Sequence, residues 1–241
     1  LSRTRIENFV NCPACFYLQQ VKGISFPGIP GFNINEATDV LLKRDFDRFR
    51  GNQTETHPFL KKIGQKDLVP FVHEDLEKWR DSLHFGSEGR FHTIHEETNL
   101  KIGGGLDDIY QNVITKKLHI VDYKSTSVKT RDKIISLEDP WKNYIKRQMD
   151  LYVWILRRKG FDVSELGYFL YCDGDRFSDY EFLGDEYAFM KFKMYWLPYE
   201  VDLSWIEPAL LKIKELLLED VCPDHSERCE FGTLFESIAS I

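Results

Sequence analysis

GGGLDDIYQNVITKKLHIVDYKSTS, residues 103–127, places Asp107, Asp108, Asp122 and Lys124 on what read as two short strands joined by a polar turn near Thr115–Lys117. Strands are ordinarily poor in Asp, so these acids call for a reason. Side chains alternate along a strand. In LHIVDYKS, Leu118, Ile120, Asp122 and Lys124 therefore share one face, and Val121 and Tyr123 share the other. Asp122 and Lys124 stand about 6.5 Å apart along it, at one strand rise per residue. If the two strands pair as a hairpin, Asp107 and Asp122 come together. Two adjacent carboxylates repel unless one is protonated or a cation lies between them. Ligation by oxygen alone suits Mg²⁺ or Mn²⁺, and Lys124 beside such an ion is placed to orient a water or steady charge on a phosphate. A D-x-K on its own is equally a hairpin edge, so the surroundings must decide. The glycines at 103–105 let another backbone or a ligand approach closely.

Outward from this hairpin, SRTRIENFVNCPACFYLQQV reads as helix from a Ser2 cap, with Pro13 dividing it. A rigid loop is expected at FPGIPGF (26–32) and a second helix over 35–50 with Asn35 as its cap. A short helix follows at 73–83. Strands are expected at 90–99, 104–112, 117–124, 167–174, 178–183 and 189–197, a long helix at 141–160, and a closing helix that carries Pro208 early. This order predicts an α/β fold: a mixed central sheet flanked by helices, with an N-terminal helical segment. One domain is expected, mostly helical over 1–85, sheet core over 86–200, and C-terminal helix and tail over 201–241.

The 241 residues carry a formal net charge of −7. The segment 124–159 is different, with ten Lys/Arg against four Asp/Glu. A basic region inside an acidic chain is either a solvated helix surface or a local binding face. Lys129, Arg131, Lys133, Lys142, Lys146 and Arg147 lie there, with Trp141 and Tyr144 interleaved as stacking surfaces for single-stranded bases. Five cysteines without a dense framework predict a reducing, cytoplasmic setting. No apolar run is long enough to span a membrane, the opening residues show no secretory pattern, and Leu1 is expected to mark a trimmed chain. Cys12-x-x-Cys15 has metal-ligand spacing, but Cys222 and Cys229 are too far apart for a tight knuckle. These four are the candidates for a thiolate site, and neither zinc nor an Fe–S cluster is expected. Cys172 reads as core, and His92 and His95 as structural or surface residues.

Taken together, Gly104-Gly105-Leu106-Asp107, Asp122-Tyr123-Lys124, Gln148-x-x-x-Tyr152 and an N-terminal RIENFVNCPACFYL resemble, in order, the motifs of the PD-(D/E)XK nuclease superfamily. The likeness is to its RecB-like branch, which includes the CRISPR-adaptation exonucleases, and it covers residues 5–152. It implies a restriction-endonuclease-like core and metal-dependent hydrolysis of DNA, more exonuclease than endonuclease, at ends or in single strands. Asp107, Asp122 and the Tyr123 carbonyl would hold the metal. Lys124 would position the attacking water, and Gln148 and Tyr152 would line the site or hold its shape. Relatives often add a His from an early helix; INEATDVLLKRDF has none, leaving Asp39, or Glu36, as the replacement. Many relatives also hold a [4Fe–4S] cluster through an N-terminal and three C-terminal cysteines. Here Cys12 fits the first, but Gly232 stands where another would be. The alternative expectation is a catalytically weak or inactive DNA-binding or protein-interaction subunit of a repair or CRISPR-related complex.

Overall fold

The computed structural model describes residues 1–26 and 31–239. Pro13 divides the N-terminal helical stretch in two, as expected, by opening the second helix. The first helix, α1 (Arg3–Asn11), is capped by Ser2, whose Oγ accepts the Arg5 N–H at 3.4 Å. Cys12 is extended, and Pro13 opens α2 (Pro13–Gln20), where its missing N–H would have no partner anyway. The loop expected at 26–32 falls mostly outside the described residues. The next helix, α3 (Asn33–Arg50), starts two residues early. Asn35 is inside it and is no cap; its carbonyl accepts from Thr38.

Two short helices follow, α4 (Pro58–Lys62) and α5 (Leu76–Arg80), with β1 (Leu68–Pro70) between them. A small hairpin, β2 (His92–His95) and β3 (Leu100–Gly103), stands apart from the main sheet. The main sheet has the order β1, β4 (Asp108–Asn112), β5 (Leu118–Thr126), β6 (Leu166–Gly174), β7 (Phe192–Glu200). Only β5 and β6 pair in parallel, joined through α6 (Asn143–Arg158); the other neighbours are antiparallel. This is the mixed, helix-flanked sheet that the sequence predicts. Beyond it lie α7 (Ile206–Leu216) and α8 (Glu230–Ala239). Among the described residues no helix is long and apolar enough to cross a membrane.

The period-two reading of β5 holds. Leu118 and Ile120 join Met149, Tyr152 and Val153 of α6 on one face, with Ile6 and Phe9 of α1 and Leu210 of α7. Val121 and Tyr123 join Phe46 of α3, Leu60 and Tyr110 on the other. Three strand expectations change. The segment 104–107 is not strand but the passage from β3 to β4. A Cβ at Gly103 would lie 2.5 Å from Phe85, and one at Gly105 2.7 Å from Ser82, so the glycines admit the protein's own chain. The segment 178–183 is irregular, with a lone bridge from Leu183 to Ala188. The last strand begins at Phe192, three residues later than expected. The N-terminal part also contributes β1, an edge strand whose three residues gave too short a pattern to read.

Candidate active site

In the hairpin register Asp108 faces Val121. Asp107, one residue earlier, thus reaches the end of the pair, where its Oδ2 accepts the Tyr123 N–H at 2.9 Å. Asp122 and Lys124 project from β5 toward α6. Asp122 is buried, and its Oδ1 accepts a 2.8 Å hydrogen bond from the Gln148 side-chain amide. Its Oδ2 touches the Lys124 ammonium as an ion pair but accepts no aligned hydrogen bond. Burial pushes the Asp122 carboxyl up to about 7; Lys124 opposes this and the Asp107 charge adds to it. Burial also works against the Lys124 charge, yet Asp122 and Asp107 outweigh it and hold that ammonium above its ordinary pKa.

From α3, Asp39 turns toward the same acids. Its pKa is raised by burial and then by Asp107, with Lys43 pulling the other way. Lys43 bridges the two, at 2.7 Å from Asp39 Oδ2 and 3.3 Å from Asp107 Oδ1. Its role was legible only as an i,i+4 partner of Asp39; nothing in the sequence ties α3 to the hairpin. Asp39 Oδ1 and Asp122 Oδ2 are both buried without a hydrogen-bond partner. Buried acceptors left without donors are uncommon, and an all-carboxylate set of them suits a hard divalent cation. Among the described residues, however, no three of these aspartates bring one oxygen each within 4.8 Å of one another. Lys43 and Lys124 stand among them and supply the positive charge.

Tyr152, one turn beyond Gln148, is buried, and Arg3 lies at its hydroxyl. Its ring lies so close to Gly104 that a Cβ there would be 2.9 Å away, so Tyr152 braces the loop leading into Asp107. Tyr123 offers its carbonyl 3.5 Å from the Lys124 ammonium, while its hydroxyl crosses to the other face and donates to Asp108 at 2.8 Å. Asp108 is fully buried and belongs to a separate network. It is held by Arg50 at 2.8 Å and Arg80 at 3.2 Å, and Arg80 also donates to the Asp107 carbonyl at 3.2 Å. These arginines fix the backbone beneath Asp107. Sequence reading missed them because they come from α3 and α5, distant in the chain.

The basic segment divides. Lys142, expected to meet nucleic acid, is buried; its ammonium donates to the Ser136 carbonyl and lies 5.1 Å from the Trp141 and Tyr171 ring centres. Arg147, also expected there, is spent on Glu7 of α1, at 2.8 and 2.5 Å. Neither offers a free cation to phosphate. Lys129, Arg131 and Trp141 are exposed and Lys146 is half-buried. Lys129, Lys133 and Trp141 help line a groove that runs from the end of β5.

The expectation about the cysteines needs correction. Cys12, Cys15, His225 and Cys229 form a cluster whose donor atoms all lie within 4.8 Å of one another. Cys222, counted as the fourth thiolate, is not in it. Burial alone would raise the Cys12 thiol, but the Ser226 and Cys15 N–H groups and His225 bring it down to about 6. The sequence signal for His225 lies outside the cysteine pairs, in His225-x-x-x-Cys229, itself a ligand spacing. No family model and no curated protein matches the chain.

Proposed function

We propose that the chain is a metal-dependent nuclease that hydrolyses phosphodiester bonds in DNA, at ends or in single strands. The reading rests on one observation: a buried carboxylate, Asp122, with an ammonium and an amide on it, beside a second acid, Asp107, that accepts the N–H of the next residue, Tyr123, across the hairpin. Asp107, Asp122 and Asp39 would hold a cation such as Mg²⁺ or Mn²⁺ once Lys43 leaves the space between Asp39 and Asp107 and the three acids close up; when bound, it would lower the cost of making hydroxide and of gathering charge on phosphate. Lys124 orients the water for in-line attack on phosphorus and donates to the non-bridging oxygen as its charge grows. The water loses its proton to solvent, the bond from phosphorus to the leaving oxygen breaks, and that oxygen takes up a proton. Gln148 keeps Asp122 aimed, and Tyr152 and Arg80 keep the Asp107 loop in place. Lys129, Arg131, Lys146 and Trp141 serve the flanking strand.

A second reading, a weak or inactive DNA-binding subunit, draws on Lys43, which fills the space between Asp39 and Asp107. End-labelled single- and double-stranded DNA incubated with Mn²⁺, Mg²⁺ or EDTA separates the two. Cation-dependent shortening that disappears in Asp122→Asn supports the nuclease. DNA retention without cleavage under every condition favours the second reading.

A further inference from the structure

We propose that Cys12, Cys15, His225 and Cys229 hold a single zinc ion that clips the C-terminal segment onto the N-terminal helices. His225 Nδ1 lies 3.4 Å from Cys12 Sγ, 3.6 Å from Cys15 Sγ and 3.6 Å from Cys229 Sγ, and the Cys15 and Cys229 sulfurs are 3.3 Å apart. One imidazole nitrogen has one lone pair or one proton, so it cannot bond three sulfurs. Three sulfurs around it mean that all four donors face a common point. Tetrahedral zinc, with bonds of about 2.3 Å to sulfur and about 2.0–2.1 Å to nitrogen, sets nitrogen and sulfur roughly 3.5 Å apart and two sulfurs roughly 3.8 Å apart; the three nitrogen–sulfur distances match, and Cys15 and Cys229 need open by only about half an ångström to hold the ion. The set of three sulfurs and one imidazole matches zinc's structural sites, and its softness excludes Mg²⁺ or Ca²⁺ as the natural occupant.

The surroundings are built for thiolates. The Ser226 N–H donates to Cys12 Sγ and the Gly232 N–H to Cys229 Sγ, both at 3.4 Å. Backbone donors of this kind orient metal-bound sulfur and temper its charge. A four-iron cluster would hold its ligands much farther apart than these donors stand. At position 232 a Cβ would lie 2.7 Å from His225 Cβ, so a cysteine there is incompatible with His225 as placed. Histidine has taken the ligand role, and the site fits one ion.

The clip closes a loop of some 210 residues. The tail also meets the N-terminal helices through Tyr17 Oη, which donates to the Glu219 carbonyl at 3.1 Å, and through Phe26 stacked on Phe231. It anchors the helix pair that carries Arg3 to Tyr152 and Glu7 to Arg147.

Metal analysis of full-length protein purified without added metal should find one zinc per chain and no acid-labile sulfide. Replacing it with Co²⁺ should give the intense visible bands of tetrahedral cobalt thiolate. Cys229→Ser and His225→Ala should lose the metal, while His225→Cys, Cys222→Ser and Asp122→Asn should keep it. The last variant separates this site from the proposed nuclease centre. Stoichiometric iron and sulfide, zinc retained in Cys229→Ser, or wild-type protein that takes up neither zinc nor cobalt would overturn the proposal. The wild-type cobalt spectrum decides even if the ligand variants fail to fold.

Discussion

Gln148 donates its side-chain amide to Asp122 Oδ1 at 2.8 Å, tying the long helix to the acidic strand at a buried point. A neutral donor is what that place tolerates. Gln148→Ala leaves a buried carboxylate oxygen without its donor, which should cost about 1–3 kcal/mol. Gln148→Glu sets a second acid against the first, so its loss should be larger at pH 8 and shrink as pH falls. Urea unfolding of the metal-free protein at both pH values measures this. Equal losses at both would mean that the two side chains do not meet.

Asp122→Asn keeps an acceptor for Gln148 and removes the repulsion with Asp107, at the expense of the Lys124 ion pair. Lys124 retains some solvent and the Asp107 charge, so the metal-free melting temperature should change little. If the proposed centre binds Mn²⁺, the ion should raise the wild-type melting temperature, since a ligand of the folded state stabilises it, and in this variant that rise should vanish together with cleavage. A variant that keeps both would remove Asp122 from the proposed centre.

The hairpin, the alternation along β5 and the helix carrying Gln148 were readable because each is local: a period of two, a polar turn, a helical repeat. What escaped depends on distant chain. Asp108 resembles Asp107 in sequence, yet one residue of offset sends it to the opposite face, where Arg50 and Arg80 bury its charge. Lys142 and Arg147 read as part of a basic face because a helix wheel cannot reveal that Ser136 and Glu7 wait for them. His225 is more than 200 residues from Cys12, and only the fold makes them neighbours.

For DNA binding, the division of the basic segment yields a contrast. Lys129→Ala, Arg131→Ala and Lys146→Ala combined should weaken binding and flatten its salt dependence, since each phosphate contact releases counterions. Arg147→Ala should leave the slope alone and instead lower stability, because it abandons Glu7, itself buried. Fluorescence anisotropy over a salt series, beside thermal melts, checks both. A slope reduced by Arg147→Ala alone would show that it leaves Glu7 to meet phosphate.

Asp150 provides a pH signature away from the acids. Burial raises its carboxyl to about 6, although the Trp205 indole and the Asp202 N–H, each at 3.0 Å, favour the charged form. An unfolded Asp titrates near 3.9. Between these values the folded chain holds more protons than the unfolded one, so this group's contribution to stability falls as pH rises from about 4 to 6 and is flat above. The melting temperature of Asp150→Asn minus that of wild type should therefore increase across that window. A difference that is constant from pH 4 to 7 would show that the Asp150 carboxyl titrates in the folded chain as it does in the unfolded one.

Lys43 stands 2.7 Å from Asp39 and 3.3 Å from Asp107, where a cation would draw those acids together. If it substitutes for the metal in the empty protein, the ion must displace it, and its removal has two opposite effects. Lys43→Met leaves Asp39 and Asp107 repelling each other, so the metal-free protein should melt lower. It also removes the competitor, so Mn²⁺ affinity should rise, by on the order of tenfold if about 1.4 kcal/mol is released. The raised pKa of Asp39, set by burial and then by Asp107, should climb further without the ammonium. Part of the affinity gain should then be lost at acid pH, where the proton competes with the metal. Calorimetric titration of wild type and Lys43→Met at pH 6 and 8, with thermal melts of the metal-free forms, tests each element. Weaker Mn²⁺ binding at both pH values would show that Lys43 supports the occupied site and does not compete for it.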